Sequence, residues 1–366
     1  MSIAVLTGNG VSVCDNPDMS TDSLTRALVR RFTDVGEGGV EDSLSQFRDF
    51  VGSFEDLLGP LDVAASGISA ASPLIGVIGE NFFDEEVLQG VVKSEGYLRD
   101  IYNIGVAITL DEIQRRAVNF ECTRELAEKV HALAKKNGEK CYFGTLNYDG
   151  LVYASNIETS WIDKCDLAHG RREVEGVVVE GARPACGWLL REVGDFPEDR
   201  DFIFLELHGS IAWLKCPGCS KVVRFPASEL RDIDYWIGLC NRLSLWQPQV
   251  ILTSKYEKLN RMRVDPFSLA YNEFIRGVAR SNSLLVAGYG FGDIGINEII
   301  ADALRFETQV LISTIESGPS DWDIFQSLGV GEGGLRRYLD ICRCGLPGAL
   351  SCEHWDRWRD AVVSWR

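Results

Sequence analysis

Short apolar runs that end in turns rich in glycine or asparagine recur along this chain of 366 residues. Ile3–Leu6 shows no polar alternation, as expected of a strand buried on both faces, and runs into Gly8-Asn9-Gly10. Lys140–Thr145 leads into Asn147-Tyr148-Asp149-Gly150, and Phe202–Leu207 into His208-Gly209-Ser210. Ser283–Ala287 leads into Gly288-Tyr289-Gly290-Phe291-Gly292-Asp293, and Gln309–Thr314 reads as the last strand of the sheet. Between the first and second runs the period changes. Leu44, Phe47, Phe50, Val51, Phe54, Leu57, Leu58 and Leu61 recur at spacings of three and four, which predicts an amphipathic helix. Pro60 and the Ala/Ser/Gly stretch 64–73 are expected to break it, with Pro73 at a turn or helix start. Further helices are predicted over 84–108, over Asp111–Lys136 with Asn137-Gly138 as a left-handed cap, and over Pro266–Arg280. An earlier one begins near Thr21, with Ser20 or Thr21 as its cap and Leu24, Leu28 and Val29 on one face.

This order predicts an α/β fold: a Rossmann-like parallel sheet with a helical insertion domain. The boundaries read as 1–40 and 139–320 for the sheet domain, 41–138 for the insertion and 321–366 for a helical tail. A hairpin is expected around Glu175–Ala182, and a second between Ile211–Lys215 and Lys221–Phe225 with Cys216-Pro217-Gly218-Cys219 at its tip. Val250–Thr253 reads as another strand, whereas 155–200 is otherwise polar and mixed and carries no chemistry that can be named. Trp355, Trp358 and Trp365 share one helical face, which suits core packing ahead of a partner surface.

A formal net charge of -17 argues against direct wrapping of nucleic acid and would suit a basic partner protein. Met1–Leu6 is a strand rather than a secretory signal, and no apolar run is expected to approach the ~20 residues of a bilayer span. Eleven cysteines without a regular framework read as reduced thiols, with Cys14, Cys122 and Cys141 as small core residues. Cytoplasmic localisation without membrane attachment is the resulting expectation.

Open α/β sheets place ligands at the carboxyl ends of their strands. The glycine-rich loops, the Asn147 turn and the His208 turn should therefore converge. Glycines there let backbone approach a pyrophosphate, an amide can fix a hydroxyl or a water, and a histidine can take a proton near neutral pH.

Gly8-Asn9-Gly10-Val11-Ser12, Asn147-Tyr148-Asp149, Leu207-His208-Gly209-Ser210-Ile211-x-Trp213 and Gly288-Tyr289-x-Phe291-x-Asp293-x-x-x-Asn297 occur in that order. Together they resemble the sirtuin-like family of bacterial defence proteins, relatives of sirtuin deacylases that degrade NAD. Val250–Thr253, Lys255, Tyr256, Pro266-Phe267 and Phe274 also fit that pattern. The resemblance runs from residue 7 to about 297. It implies a sirtuin-type sheet holding extended NAD as the substrate. Gly8, Asn9, Gly10 and Ser12 would meet the pyrophosphate and nearby ribose. Asn147 and His208 would be the catalytic pair, Asp149 the nearby pocket carboxylate, and Gly288, Phe291 and Asp293 the adenosine side. Asn9 and Leu146 depart from the deacylase pattern of Gly-Ala-Gly and Gln-Asn-Ile-Asp, which favours hydrolysis of NAD over deacylation.

The implied role is abortive anti-phage defence, gated by homo-oligomerisation or by a partner such as a helicase-like ATPase or nuclease. No Gly-x-x-x-x-Gly-Lys-[Ser/Thr] loop is present in this sequence. The rivals are a non-catalytic subunit that binds NAD or ADP-ribose, and an NAD-dependent protein deacylase. Cys216 and Cys219 have the spacing of half a zinc site, and Cys342-x-Cys344 with Cys352-x-His354 could supply further ligands. Free thiols on a hairpin rank ahead of structural zinc.

Overall fold

A computed structural model describes residues 2–35, 53–82, 84–158, 164–253, 255–331 and 334–364. The chain opens with β1 (Ser2–Thr7), the short helix α1 (Gly10–Asp15) and α2 (Thr21–Val35). Three helices precede the next strand: α3 (Phe54–Phe82), α4 (Glu85–Arg116) and α5 (Glu121–Asn137). Then come β2 (Lys140–Thr145), α6 (Leu151–Glu158), β3 (Lys164–Cys165), β4 (Glu173–Gly176), β5 (Ala185–Leu189) and β6 (Phe202–Glu206). They are followed by β7 (Gly209–Lys215), β8 (Val222–Arg224), α7 (Ala227–Asp232), α8 (Tyr235–Cys240), β9 (Gln247–Val250) and α9 (Lys255–Arg261). The C-terminal third is α10 (Phe267–Arg280), β10 (Ser281–Ala287), α11 (Ile294–Arg305), β11 (Gln309–Ser313), α12 (Asp321–Leu328), β12 (Leu339–Cys342) and α13 (Glu353–Ser364).

Seven strands form one parallel sheet in the order β12-β11-β10-β1-β2-β6-β3, giving an α/β Rossmann-like fold with a helical insertion between β1 and β2. Alternate residues of each strand serve opposite faces. Ala4, Leu6, Tyr142, Ile203, Leu205, Leu284 and Val286 meet α10 and α11 through Ala270, Phe274, Ile296 and Ile300. Ile3, Val5, Cys141, Phe143, Phe202, Phe204 and Leu285 pack instead with Leu126 and Val130 of α5 and with Trp355, Trp358 and Val362 of α13. Each fully buried Leu, Ile or Phe contributes roughly 1.5–3 kcal/mol, so layers on both faces fix the strand register.

That register aligns the carboxyl ends. Thr7 lies beside Thr145 and Ala287, Thr145 beside Glu206, Ala287 beside Ser313, and Ser313 beside Cys342. The chain steps from β1 toward β2 and β6, then returns to β10 on the other side of β1. A crevice therefore opens between β1 and β10, at the point where the strand order reverses.

A second, antiparallel sheet has the order β4-β5-β8-β7-β9 and shares a core with the insertion helices. The main chain passes between the sheets at Gly209. Its φ is +80°, and a Cβ there would stand 2.1 Å from the Gln249 carbonyl oxygen, so a side chain is excluded on both counts.

Several expectations need correction. Pro60 and Pro73 lie inside α3, which runs unbroken. A proline removes one rung of the hydrogen-bond ladder, but neither ends a helix that runs alongside α4. By length and composition Phe54–Ile75 is enough to cross a membrane, contrary to the expectation of no such run. Its first turns are nevertheless tied to α9, with Glu55 2.6 Å from Lys258 and Asp62 2.7 Å from Arg261. The helix expected over 111–136 is two, because Asp15 of α1 caps a new start at α5 and accepts from the backbone of Cys122 (2.6 Å) and Thr123 (3.2 Å). Gly138 does adopt the left-handed cap, at φ +60°.

A further strand, β12, follows β11. The strand expected at Val250–Thr253 is displaced to Gln247–Val250. Cys14 and Cys122 are disulfide-bonded, which overturns the reading of every cysteine as a reduced thiol. Residues 44–51 of the first predicted helix and Trp365 lie outside the described residues.

Candidate active site

The ends of β1, β2, β6, β10 and β11 open into a cleft of about 750 Å3. At its floor the two glycine loops meet backbone to backbone. Gly8 N donates to Ala287 O (2.9 Å) and Gly10 N to Gly288 O (2.8 Å). A Cβ on Gly8 or Gly10 would stand 2.8 Å from Gly288 backbone atoms, and one on Gly288 (φ +63°) would stand 2.5 Å from Val11 N. Close loop packing is thus one demand on these glycines, and Gly8, Gly10 and Gly288 all line the cleft as well. Asn9 also lines it, while its side chain donates to Met19 O at 3.0 Å.

Ser12 lies beneath the lining, fully buried. Its hydroxyl donates to Asp149 Oδ2 at 2.6 Å and accepts from Asn147 Nδ2 at 2.8 Å. Asp149 also accepts from the Leu151 backbone at 2.9 Å. Burial pushes its carboxyl above the ordinary range, although these hydrogen bonds oppose the rise. The chain of donors orients the Asn147 amide. Ser12 has one hydroxyl proton and gives it to Asp149, so it can only accept from Asn147, whose nitrogen must face it. The Asn147 Oδ1 atom is buried and has no hydrogen-bond partner. A buried acceptor left without a partner costs about 1–3 kcal/mol, so a donor entering the cleft would be favoured there.

His208 sits where β6 hands over to β7. Its Nε2 is 3.0 Å from Asp293 Oδ2, and its ring neighbours those of Tyr148 and Tyr271, with centroids 6.1 and 6.4 Å away. Burial pushes the Asp293 carboxyl up, but the hydrogen bond and charge of His208, with help from Lys258 and the Ile296 backbone, reverse this and hold it at about 2. Asp293 also caps α11, its Oδ1 accepting from Gly295 N (3.0 Å) and Ile296 N (3.2 Å). One carboxylate thus fixes both a helix start and an imidazole.

The placements differ in places from the expected roles. Asn147, His208, Asp149, Asn9, Gly8, Gly10, Gly288 and Asp293 share the cleft, and within it Asp293 is paired with His208. Ser12 supports the lining from below. Phe291 adopts φ +58° and turns into the core, its ring 4.8 Å from that of Tyr289. Cys216 and Cys219 remain free thiols with no third ligating group gathered around them among the described residues.

Other lining residues carry no signal in the sequence beyond a single hydroxyl or charge. Thr253 Oγ1 and Ser313 Oγ are buried without partners, as Asn147 Oδ1 is. The Tyr148 hydroxyl lies 2.8 Å from Glu55 Oε1 and 2.7 Å from Ile251 O, and Glu55 holds Lys258, so the first turn of α3 forms one wall.

No family model and no curated protein matches this sequence. The solved structures it resembles include sirtuins. A mutant Sir2 homologue in complex with 2'-O-acetyl ADP-ribose shares 13% identity at a TM-score of 0.45, covering 99% of this chain and 93% of that one. Another Sir2 homologue mutant, in complex with ADP-ribose, shares 13% identity at 0.42, covering 99% and 94%. A Sir2 homologue–NAD complex shares 12% at 0.40, covering 99% and 88%. At such values the likeness transfers no residue roles.

Proposed function

We propose that this chain is an NAD glycohydrolase. It binds NAD across the carboxyl ends of the sheet and cleaves the bond between nicotinamide and ribose. The observation that carries the reading is the bare carbonyl oxygen of Asn147 in the same cleft as the His208–Asp293 pair. From β6 to β11 the cleft crosses four strand spacings, about 19 Å, which suits an extended dinucleotide better than a mononucleotide. Unpartnered hydroxyls at Thr253 and Ser313 suit a ligand with polar groups along its length.

In this reading the C–N bond breaks with its electron pair leaving on nicotinamide. Positive charge develops at the anomeric carbon, and a water oxygen attacks there. Asn147 has one N–H on Ser12 and its carbonyl oxygen without a partner, so that oxygen is the atom to accept from a ribose hydroxyl or the attacking water, with its dipole favouring nearby positive charge. Asp293 is ionised and accepts from Nε2–H; it is the neutral form of the ring, with Nδ1 bare, that takes the water's proton. The balanced products are nicotinamide, ADP-ribose and a proton released to solvent.

A role in anti-phage defence, with activity gated by self-assembly or by a helicase-like ATPase or nuclease, is part of the same proposal and rests on the sequence resemblance. Purified protein, alone and with the products of neighbouring genes, is to be incubated with NAD while nicotinamide is quantified. Release that is lost in Asn147→Ala and His208→Ala supports the reading. NAD binding without release under every condition points instead to a regulatory subunit, and release only on addition of an acylated peptide points to a deacylase.

A further inference from the structure

Beyond β11 the chain adds one strand and then turns back in a way that gathers three thiols. Cys342 ends β12, Cys344 follows it, and Cys352 immediately precedes α13. Their sulfurs all lie within 4.8 Å of one another, and those of Cys342 and Cys352 are 3.4 Å apart. Tetrahedral zinc with Zn–S bonds of about 2.3 Å sets its sulfurs roughly 3.8 Å apart, inside that range. Cys342 is buried, Cys352 partly buried and Cys344 exposed, so a bound ion would have two sheltered ligands and one side open to water.

We infer that Cys342, Cys344 and Cys352 form a binding site for a thiophilic d10 cation, Zn2+ in the first instance, with the fourth position left to solvent. The thiol set selects soft ions over magnesium or calcium. His354 is not the fourth ligand as placed, because the ligating atoms gathered within 4.8 Å of one another are those of the three cysteines alone, and its Nδ1 is held by Asp340 at 2.7 Å. The site is distinct from the Cys216/Cys219 hairpin and does not depend on the proposed NAD chemistry.

Its position gives it a consequence for the cleft. The loop between the ligands carries Gly345 and Leu346, which line the cleft beyond Ser313. Gly345 N donates to Thr314 O at 2.8 Å, and Thr314 N to Cys342 O at 2.9 Å, so the ligand loop and the cleft wall share one hydrogen-bonded turn. A metal clipped between Cys342 and Cys352 would hold that wall in place; only this consequence, a shift in nucleotide affinity rather than in the chemical step, rests on the proposed function.

The test uses the full chain, reduced with a phosphine, loaded with Zn2+ and dialysed, with metal counted by mass spectrometry and thiolate ligation followed by Cd2+ titration in the ultraviolet. Wild type and a Cys216→Ser/Cys219→Ser variant should each retain about one equivalent, with a charge-transfer band for three thiolates. Cys342→Ser/Cys352→Ser should retain roughly none. Should that variant misfold, Cys344→Ser at an exposed position keeps the test: its band should fall to two thiolates. Its affinity should drop by at least the ~10–100-fold that loss of a mere supporting residue costs. Absence of bound metal in folded, reduced wild type overturns the site. So does unchanged stoichiometry and band in Cys344→Ser, or transfer of the loss to the Cys216→Ser/Cys219→Ser variant.

Discussion

Replacing Asp293 by asparagine separates its two jobs. The carboxylate caps α11 through Oδ1 and holds His208 through Oδ2. An amide has one acceptor, and two backbone N–H groups compete for it at the cap, so the side-chain oxygen should stay there. The amide nitrogen then takes the place of Oδ2 and donates to His208 Nε2. That forces the neutral ring to carry its proton on Nδ1, the nitrogen the proposed mechanism needs bare. General-base assistance contributes about 10^2–10^4-fold, and the rate of nicotinamide release should fall by that factor while NAD binding changes little. Stability provides a second readout. The folded-state pKa of Asp293 is depressed from 3.8 to about 2, so its charged interactions stabilise the fold above the unfolded value and are lost as pH falls through the folded one. At about 1.4 kcal/mol per unit the contribution is on the order of 2 kcal/mol. Denaturant melts of wild type and Asp293→Asn should differ by about that much near neutral pH, and the gap should shrink between pH of about 4 and about 2. Wild-type turnover in a folded Asp293→Asn protein would show that the pair orients nothing the reaction uses.

Ser12→Ala removes the hydroxyl between Asn147 and Asp149 and leaves two buried polar groups short of a partner; we expect a loss of about 1–3 kcal/mol in thermal or denaturant melts and a fall in nicotinamide release as the amide loses its orientation. Gly288→Ala places a methyl group 2.5 Å from Val11 N on a backbone at φ +63°, so it should destabilise by at least about 1–2 kcal/mol and weaken NAD binding in calorimetry. Glu206→Gln should stabilise. Burial pushes this carboxyl up to about 7 against the pull of Ser210 and Arg224, so the folded state resists ionisation. Wild-type stability should therefore decline as pH rises from about 4.5 to about 7, and chemical melts of the glutamine variant should lack that decline.

The parts of this fold visible in the sequence are those set locally. An apolar run of five or six residues ending in glycine announces a buried strand and its loop, and β1, β2, β6 and β10 lie within a residue or two of where the runs place them. β12 escapes because Leu-Asp-Ile-Cys is four residues long, and a run that short has no period to read. The break between α4 and α5 escapes because its cap, Asp15, comes from a helix more than a hundred residues earlier. The Cys14–Cys122 disulfide, with a sequence separation of 108, escapes for the same reason.

The candidate site divides along the same line. Loop order alone suggests that Asn147 and His208 share a crevice, since each follows a strand and parallel strands end on one edge. What a loop residue does once there depends on partners brought by other elements. Ser12 looks like a phosphate-facing hydroxyl beside a glycine loop, yet the first turn of α1 carries it under the Asn147 turn, where a carboxylate and an amide claim both of its hydrogen-bonding functions. Phe291 looks like a wall for a base, yet a left-handed backbone swings it into the core. Ser12 in turn orients its neighbour: with Nδ2 held on the hydroxyl, the carbonyl oxygen is the atom of Asn147 left without a partner. In the proposed reading that oxygen is the acceptor a ribose hydroxyl or a water would meet, and its orientation is not legible until the buried hydroxyl is in place.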